Sequence, residues 1–219
     1  VNDAPIANSL DIDILEDIPT EILLNGFDVE GDSLSYAIIQ QPEFGNIVED
    51  FPYIFYTSNL NWSGIDYFSY LVSDGEFISD TALVTLNVEP VNDAPIISLI
   101  TNQEMFEDES LELILSASDV DGDTLSYSSY TENENIILDV VGNDLAITLN
   151  PDYFGQADIF AVVSDEFLSD TTSFSLTVNP VNDAPIANSL DIDILEDIPT
   201  EILLNGFDVE GDSLSYAII

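Results

Sequence analysis

Lysine, arginine and histidine are all absent from this 219-residue chain, while Asp and Glu number 44, for a formal net charge of -44. An average chain of this length would carry roughly 25 basic residues. Without side-chain cations, no counterions are released from a nucleic-acid backbone, so nucleic-acid binding is excluded. Docking on anionic lipid is excluded for the same reason. Side-chain salt bridges are excluded too, and each carboxylate needs water, a backbone N–H or an external cation. Cysteine is absent, so there are neither disulfide staples nor thiolate ligands. The longest apolar run is Ile159 to Val163, far short of membrane length, so no direct membrane insertion is expected. There is no signal peptide, and the chain opens on Val1; it reads as an internal piece of a longer protein.

Catalysis is not expected. The usual bases, nucleophiles and oxyanion clamps are missing. Paired carboxylates hydrolyse glycosides, but such a pair needs a cleft and a raised pKa, and an enzyme site repeated along a rod has little rationale. What the chain does have is 46% hydrophobic and 10% aromatic residues, enough to build cores despite the charge.

The sequence repeats. VNDAP occurs at Val1–Pro5, Val91–Pro95 and Val181–Pro185, a period of 90 residues. Residues 1–39 and 181–219 are identical, whereas the first two modules are related but diverged. Three segments follow: module one over 1–90, module two over 91–180, and the start of a third module over 181–219. A fragment that short cannot bury a core of its own.

Within each module the hydrophobic period is two. Ala82, Val84, Leu86 and Val88 alternate with Thr81, Leu83, Thr85 and Asn87, and Thr172, Phe174, Leu176 and Val178 repeat the pattern. Phe68, Tyr70 and Val72 form another such face, as do Leu34, Tyr36 and Ile38. Alternation broken by Gly, Pro, Asn and Asp means half-buried antiparallel strands. About seven strands per module are expected, near residues 6–15, 20–25, 33–39, 46–49, 53–57, 66–73 and 80–88 of module one. The fold class is therefore all-β: tandem seven-stranded immunoglobulin- or cadherin-like sandwiches arranged end to end. A continuous β-solenoid is the alternative, but its repeats are far shorter than this one.

In such a sandwich, with strands labelled A to G, the N-terminus and the B–C and F–G loops share one end, the top; the A–B and E–F loops share the base. Asp28, Glu30 and Asp32 fall in the B–C loop of module one, and Asp119, Asp121 and Asp123 in that of module two. Asp74 and Asp165 fall in the F–G loops. Asn2 and Asp3 precede module one, and Asn92 and Asp93 precede module two; all these belong to a top. The third copy repeats the set as Asn182, Asp183, Asp208, Glu210 and Asp212. Glu16 and Asp17, with Glu107 and Asp108, lie at A–B turns, the base. End-to-end stacking would then gather Glu16, Asp17, Asn92, Asp93, Asp119, Asp121, Asp123 and Asp165 at one junction.

So many like charges share a small volume only by protonating or by binding cations. Oxygen-only ligands select hard ions, and irregular multi-carboxylate sites favour Ca2+ over Mg2+. The bland alternative is a solvated acidic turn, and a single D-x-D-x-D does not decide against it. Recurrence at equivalent positions, with the linker and A–B carboxylates placed to meet the turn, favours Ca2+ over it. The turn is not an EF-hand, because Tyr130 stands where the twelfth-position Glu would be.

VNDAP linkers, Glu-Asp near the A–B turn, D-x-x-G-D-x-L-x-Y at Asp28 and Asp119, G-x-D-x-F-x-Y at Gly64 and V-S-D-G at Val72 together resemble the cadherin-like tandem repeats of large bacterial surface proteins and adhesins. The resemblance covers essentially the whole chain. It implies Ca2+ ligands at Asn92 and Asp93 of the linker, at Asp119 and Asp121, at Asp165, and at Glu16 or Asp17. It departs from the family pattern at Glu30, at Glu166 in place of Gly75, and at Ala157, which aligns with Asp66. The role it implies is a structural segment of an extracellular, cell-surface stalk or filament of a bacterial adhesin, stiffened by Ca2+ at module junctions. Its partners would be neighbouring modules of the same array.

An array of carbohydrate- or cell-surface-binding modules is the second reading. Trp62, Tyr53, Phe55, Tyr56, Tyr67 and Tyr70 would be its stacking platform, although alternation assigns most of them to the core. Asn61-Trp62-Ser63 is an N-glycosylation triplet of the sort expected by chance. Asp-Ser/Thr-aliphatic triplets at Ser33, Thr81, Thr124 and Ser213, with a relative at Thr171, resemble an O-glycosylation sequon of some bacterial surface proteins, although repeat consensus alone accounts for them.

Overall fold

The computed structural model describes residues 1–218 and contains only strands, turns and bends. It divides into two compact units, Val1–Asp93 and the remainder from Ala94 onward.

In the first unit the order is β1 (Ile6–Ala7), β2 (Leu10–Leu15), β3 (Thr20–Leu23), β4 (Gly26–Phe27), β5 (Ser35–Gln40), β6 (Gly45–Asp50), β7 (Tyr53–Ser58), β8 (Gly64–Ser73) and β9 (Ala82–Glu89). One sheet runs β2-β9-β8-β5 and the other β3-β7-β6, while β1 pairs with β4. Strand β2 lies parallel to β9, with Ile12 beside Leu86; every other pairing is antiparallel. The A and B strands read from the sequence as single runs thus each divide in two, which turns seven expected strands into nine. Inward residues of both sheets, among them Ile14, Ile22, Ile54, Tyr56, Phe68, Tyr70, Val84 and Leu86, make one core.

The second unit repeats the plan with β10 (Ile96–Ile97), β11 (Gln103–Phe106), β12 (Leu111–Ile114), β13 (Ala117–Ser118), β14 (Ser126–Thr131), β15 (Ile136–Val141), β16 (Asp144–Leu149), β17 (Gly155–Ser164) and β18 (Ser169–Asn179). Its sheets are β11-β18-β17-β14 and β12-β16-β15, with β10 paired to β13. Leu145, Ile147, Ile159, Val163, Phe174 and Leu176 lie at the centre of its core. Asp66 faces Leu86 across β8 and β9, and Ala157 faces Leu176 across β17 and β18, so Asp66 and Ala157 are structural equivalents.

Residues 181–218 supply an internal control on how sequence becomes strand. They repeat residues 1–38 letter for letter, yet the only strands among them are β19 (Ile186–Ala187) and β20 (Gly206–Phe207), paired as β1 is with β4. Ile14 is 5% exposed and Ile194 is 65% exposed. In the first unit β7, β8 and β9 supply ladder partners and a facing apolar sheet; the third segment has none of these among the described residues. Strand formation here is a property of the surface offered to the segment rather than of its own residues. Ile14→Ala should therefore destabilise the first unit by about 2–5 kcal/mol. Ile194→Ala should change the stability of this chain by less than about 0.5 kcal/mol. Denaturant titration followed by Trp62 emission, from a side chain packed on the first core, reads the first effect. Equal losses for the two variants would contradict the account.

Candidate functional site: acidic turns and a buried glutamate

Each B–C turn is built around one aspartate. The Asp28 Oδ1 atom accepts the Asp32 N–H at 3.0 Å, and the Asp119 Oδ1 atom accepts the amides of Asp121, Gly122 and Asp123 at 2.9, 3.0 and 3.3 Å. The third copy repeats the first, with the Asp212 N–H donating to Asp208 Oδ1 at 2.8 Å. Gly31, Gly122 and Gly211 turn the chain at positive φ (84°, 79° and 82°), where a side chain would be strained. The turn forms in the third copy without a completed sandwich around it, so it is encoded locally. The second oxygens of Asp28 and Asp119 are buried without hydrogen-bond partners, while Asp32, Asp121, Asp123 and Asp212 are exposed.

The remaining top residues gather as expected in module one. Asn2 donates its amide to Asp74 Oδ2 at 3.0 Å, and the Asp3 N–H donates to Glu30 Oε2 at 3.3 Å. Asp74 and Asp165 each cap their own F–G turn: Asp74 Oδ1 accepts Glu76 and Phe77 amides, and Asp165 Oδ1 accepts those of Phe167 and Leu168. The Phe77 amide, followed by those of Glu76 and the Asn2 side chain, holds the Asp74 carboxyl below the usual range. Asn92 and Asn182 each turn an amide onto the carbonyl of the following residue, Asp93 or Asp183, at 3.2 and 3.0 Å.

At the base the two candidates separate. Glu16 is 2% exposed and Glu107 is 1% exposed. Each follows the end of its A strand, donates its N–H to a carbonyl of the G-strand end (Glu89 or Asn179, both at 3.0 Å), and accepts the amide of the VNDAP valine, Val91 at 2.8 Å or Val181 at 2.6 Å. In each, Oε2 is buried without a hydrogen-bond partner. Asp17 instead adopts φ of 60° and accepts the Asn61 amide at 3.0 Å, so its carboxylate belongs to its own module's E–F corner. Asp108 shares the positive φ, at 64°, and is exposed. The base carboxylate buried by the linker is therefore the glutamate, and the aspartate beside it shapes the turn.

Two groups of acidic oxygens converge within the second unit. Asp119, Asp121 and Asp123 present oxygens within 4.8 Å of one another. So do Glu107, Asp183 and Glu210, which come from the base of module two, the linker and the third B–C turn. Within this second group Glu107 Oε2, Asp183 Oδ2 and Glu210 Oε1 are all buried and without hydrogen-bond partners, while Glu210 Oε2 accepts the Asp183 N–H at 3.2 Å. Burial, then the charges of Glu210, Asp152, Asp108 and Glu107, raise the Asp183 carboxyl above the usual range. Burial, then Asp119 and Asp121, does the same to Asp123. Holding charge at either place is unfavourable without a nearby positive charge.

The donor set fits a hard divalent ion. It is all oxygen, from separate segments, and Ca2+ ligands at 2.3–2.6 Å place opposite oxygens about 5 Å apart. Asp152 is a carboxylate that sequence reasoning passed over. It lies in the E–F corner where module one has Asn61, so no acidic repeat marked it. Asp66, which Ala157 replaces in module two, is fully committed inside module one, accepting the amides of Glu43 and Phe44 and the Tyr56 hydroxyl.

The comparisons with known proteins agree with this architecture. Integrin beta-like protein A of Dictyostelium discoideum is 26% identical over 242 residues, covering 93% of this chain but only 13% of that protein. Among solved structures, the extracellular cadherin domains 1-5 of protocadherin gamma B2 align over 86% of this chain and 42% of theirs, with a TM-score of 0.51 and 18% identity. Human protocadherin-24 EC1-2 aligns over 83% of this chain and all of its own, with a TM-score of 0.51 and 14% identity. At such identities the likeness is one of fold. Residues 2–87 and 92–179 each match the bacterial Ig domain family, and the chain belongs to that family as two tandem copies followed by the start of a third.

Proposed function

We propose that this chain is a structural repeat segment of an extracellular adhesin stalk or surface filament, and that Ca2+ bound at successive module junctions sets its stiffness. The observation that carries the reading is the trio of buried, unpartnered carboxylate oxygens of Glu107, Asp183 and Glu210. In a chain without a single side-chain cation, an external ion is the group that can offset them. Glu107 and Asp183, with the Asp208–Asp212 turn, would hold one such ion; by the sequence repeat, Glu16, Asn92 and Asp93 with the Asp119–Asp123 turn would serve in the same way one period earlier. Asn2, Asp3, Asp28, Glu30, Asp32 and Asp74 would serve the junction with a preceding module. No catalytic step is assigned.

The ion's work in this reading is mechanical. It converts mutually repelling carboxylates into a shared ligand shell, which fixes the angle between consecutive modules. Small-angle scattering with and without EGTA, at constant ionic strength, tests it. Calcium should give the larger maximum dimension and the stiffer profile, and chelation the more flexible one. Constant ionic strength separates ion binding from screening of exposed charge. Identical profiles in the two buffers would overturn the stiffening role.

A further inference from the structure

We propose that module two carries a binding groove for an uncharged glycan, at a corner that module one keeps closed. The groove has a volume of about 550 Å³ and is lined by Thr131, Asn133, Asn135, Gln156, Asp158 and Phe160, among others. That volume lies within the roughly 300–1,000 Å³ of ligand clefts. Tyr130 and Phe160 face each other across β14 and β17. Their rings stack with centroids 4.7 Å apart and an interplanar angle of 6°. Neighbouring residues Ile159 and Ala161 point into the core, so this pair stands on the outer face, and Tyr130 is 51% exposed. Flat aromatic surface beside amide and carboxylate groups suits a sugar ring, whose C–H face is apolar and whose rim is hydroxylated. Amides offer both donors and acceptors, and Asp158 adds acceptors.

The polar wall is fixed in place. Thr131 Oγ1 donates to the Asp158 carbonyl at 2.8 Å and accepts the Asn133 N–H at 3.2 Å. The Asn133 side chain donates to Tyr153 Oη at 2.6 Å and accepts the Asn135 N–H at 3.0 Å. A wall ordered before binding loses little entropy on binding. Module one treats the same corner differently. Asp66 pulls the Glu43 and Phe44 amides inward, Phe44 stacks on Trp62 with centroids 4.5 Å apart, and an irregularity between Ile38 and Gln40 breaks the register where Tyr130 would stand. Ala157 in place of Asp66 removes that closure. Glu132 and Glu134 at the rim, and the net charge of -44, repel uronates and sulfated chains, which leaves neutral glycans.

The inference is independent of the cation reading, since every residue lies within one module. The test is isothermal titration of the whole chain with neutral glucose and mannose hexasaccharides, in Ca2+ and again in EGTA. At least one hexasaccharide should bind in both buffers. Tyr130→Ala should weaken it roughly tenfold or more, a loss of about 1.4 kcal/mol. Gln156→Ala, at an exposed position, should weaken it with the melting temperature unchanged, and Tyr67→Ala on module one should leave it intact. Binding of neither sugar overturns the proposal, as does binding that both the Tyr130 variant, beside the groove, and the Gln156 variant, in its lining, retain. Spermine binding at the groove that added NaCl abolishes, without sugar binding, would make it a mere acidic patch and equally overturn it.

Discussion

Asp66→Ala should cost the first module about 3–5 kcal/mol, the largest single-residue effect expected outside the apolar core. Its carboxylate is 1% exposed. It accepts the Glu43 N–H at 3.0 Å, the Phe44 N–H at 2.9 Å, the Tyr56 hydroxyl at 2.9 Å and the Tyr67 N–H at 2.8 Å. Alanine would strand these donors in a space that water enters poorly. The Tyr56 ring packs directly over Gly45 at the start of β6, where a side chain would have no room. Burial first, and Asp66 second, push the Tyr56 hydroxyl well above its ordinary pKa, so it remains a donor throughout the physiological range. Trp62 stacks on Phe44 and reports the corner directly. Denaturant titration of Trp62 emission should show the midpoint fall sharply, with Asp66→Asn intermediate. A loss under about 1 kcal/mol would mean that the corner is held by its aromatics instead.

Asp121→Ala should lower the melting temperature in Ca2+ and leave it almost unchanged in EGTA. The Asp121 carboxylate shares a 4.8 Å oxygen cluster with Asp119 and Asp123, and removing it forfeits ligand-linked stability. That linkage is about 2.7 kcal/mol when free Ca2+ is 100 times the dissociation constant. Asp11 is exposed on β2 and is the proper control; Asp11→Ala should track the parent in both buffers to within about 0.5 kcal/mol. Asp13 is a poorer control, because its Oδ1 accepts the Asn87 side-chain amide at 3.1 Å. Calorimetry reads all three. An Asp121 defect that persists in EGTA would reduce the cluster to a solvated turn.

The parts of this molecule legible from sequence are those encoded over a few residues. Period-two alternation marks β8 and β9, whose Phe68, Tyr70, Val84 and Leu86 share one inward face because both sheets of the module are present to cover them. The D-x-x-G-D turn was legible for the same reason, and its recurrence around Asp208 without a finished sandwich makes the point. The division of the A strand was not, because Leu10–Leu15 pairs with β9, 74 residues on in sequence, while Ile6–Ala7 pairs with β4. Nothing in the Glu-Asp pair distinguished Glu16 from Asp17 either. Only the linker amide of Val91 and the left-handed backbone of Asp17 separate them. Of the six aromatics assigned mostly to the core, only Tyr56 and Tyr70 are buried; Tyr53 and Tyr67 are exposed and Phe55 and Trp62 half-buried, because the pairs Tyr53/Tyr56 and Tyr67/Tyr70 are of opposite parity along β7 and β8. The Tyr130–Phe160 pair depends on cross-strand register and escaped notice.

Calcium titration by calorimetry of the EGTA-stripped chain, beside Glu107→Gln, is the most direct test of the central claim. Glutamine keeps an acceptor for the Val181 amide, so the linker stays seated while one charge is removed. The account predicts saturable binding at more than one site per chain, resistant to added NaCl, with one site lost or severely weakened in the variant. Weak, unsaturable uptake that added NaCl suppresses equally in both proteins would contradict it.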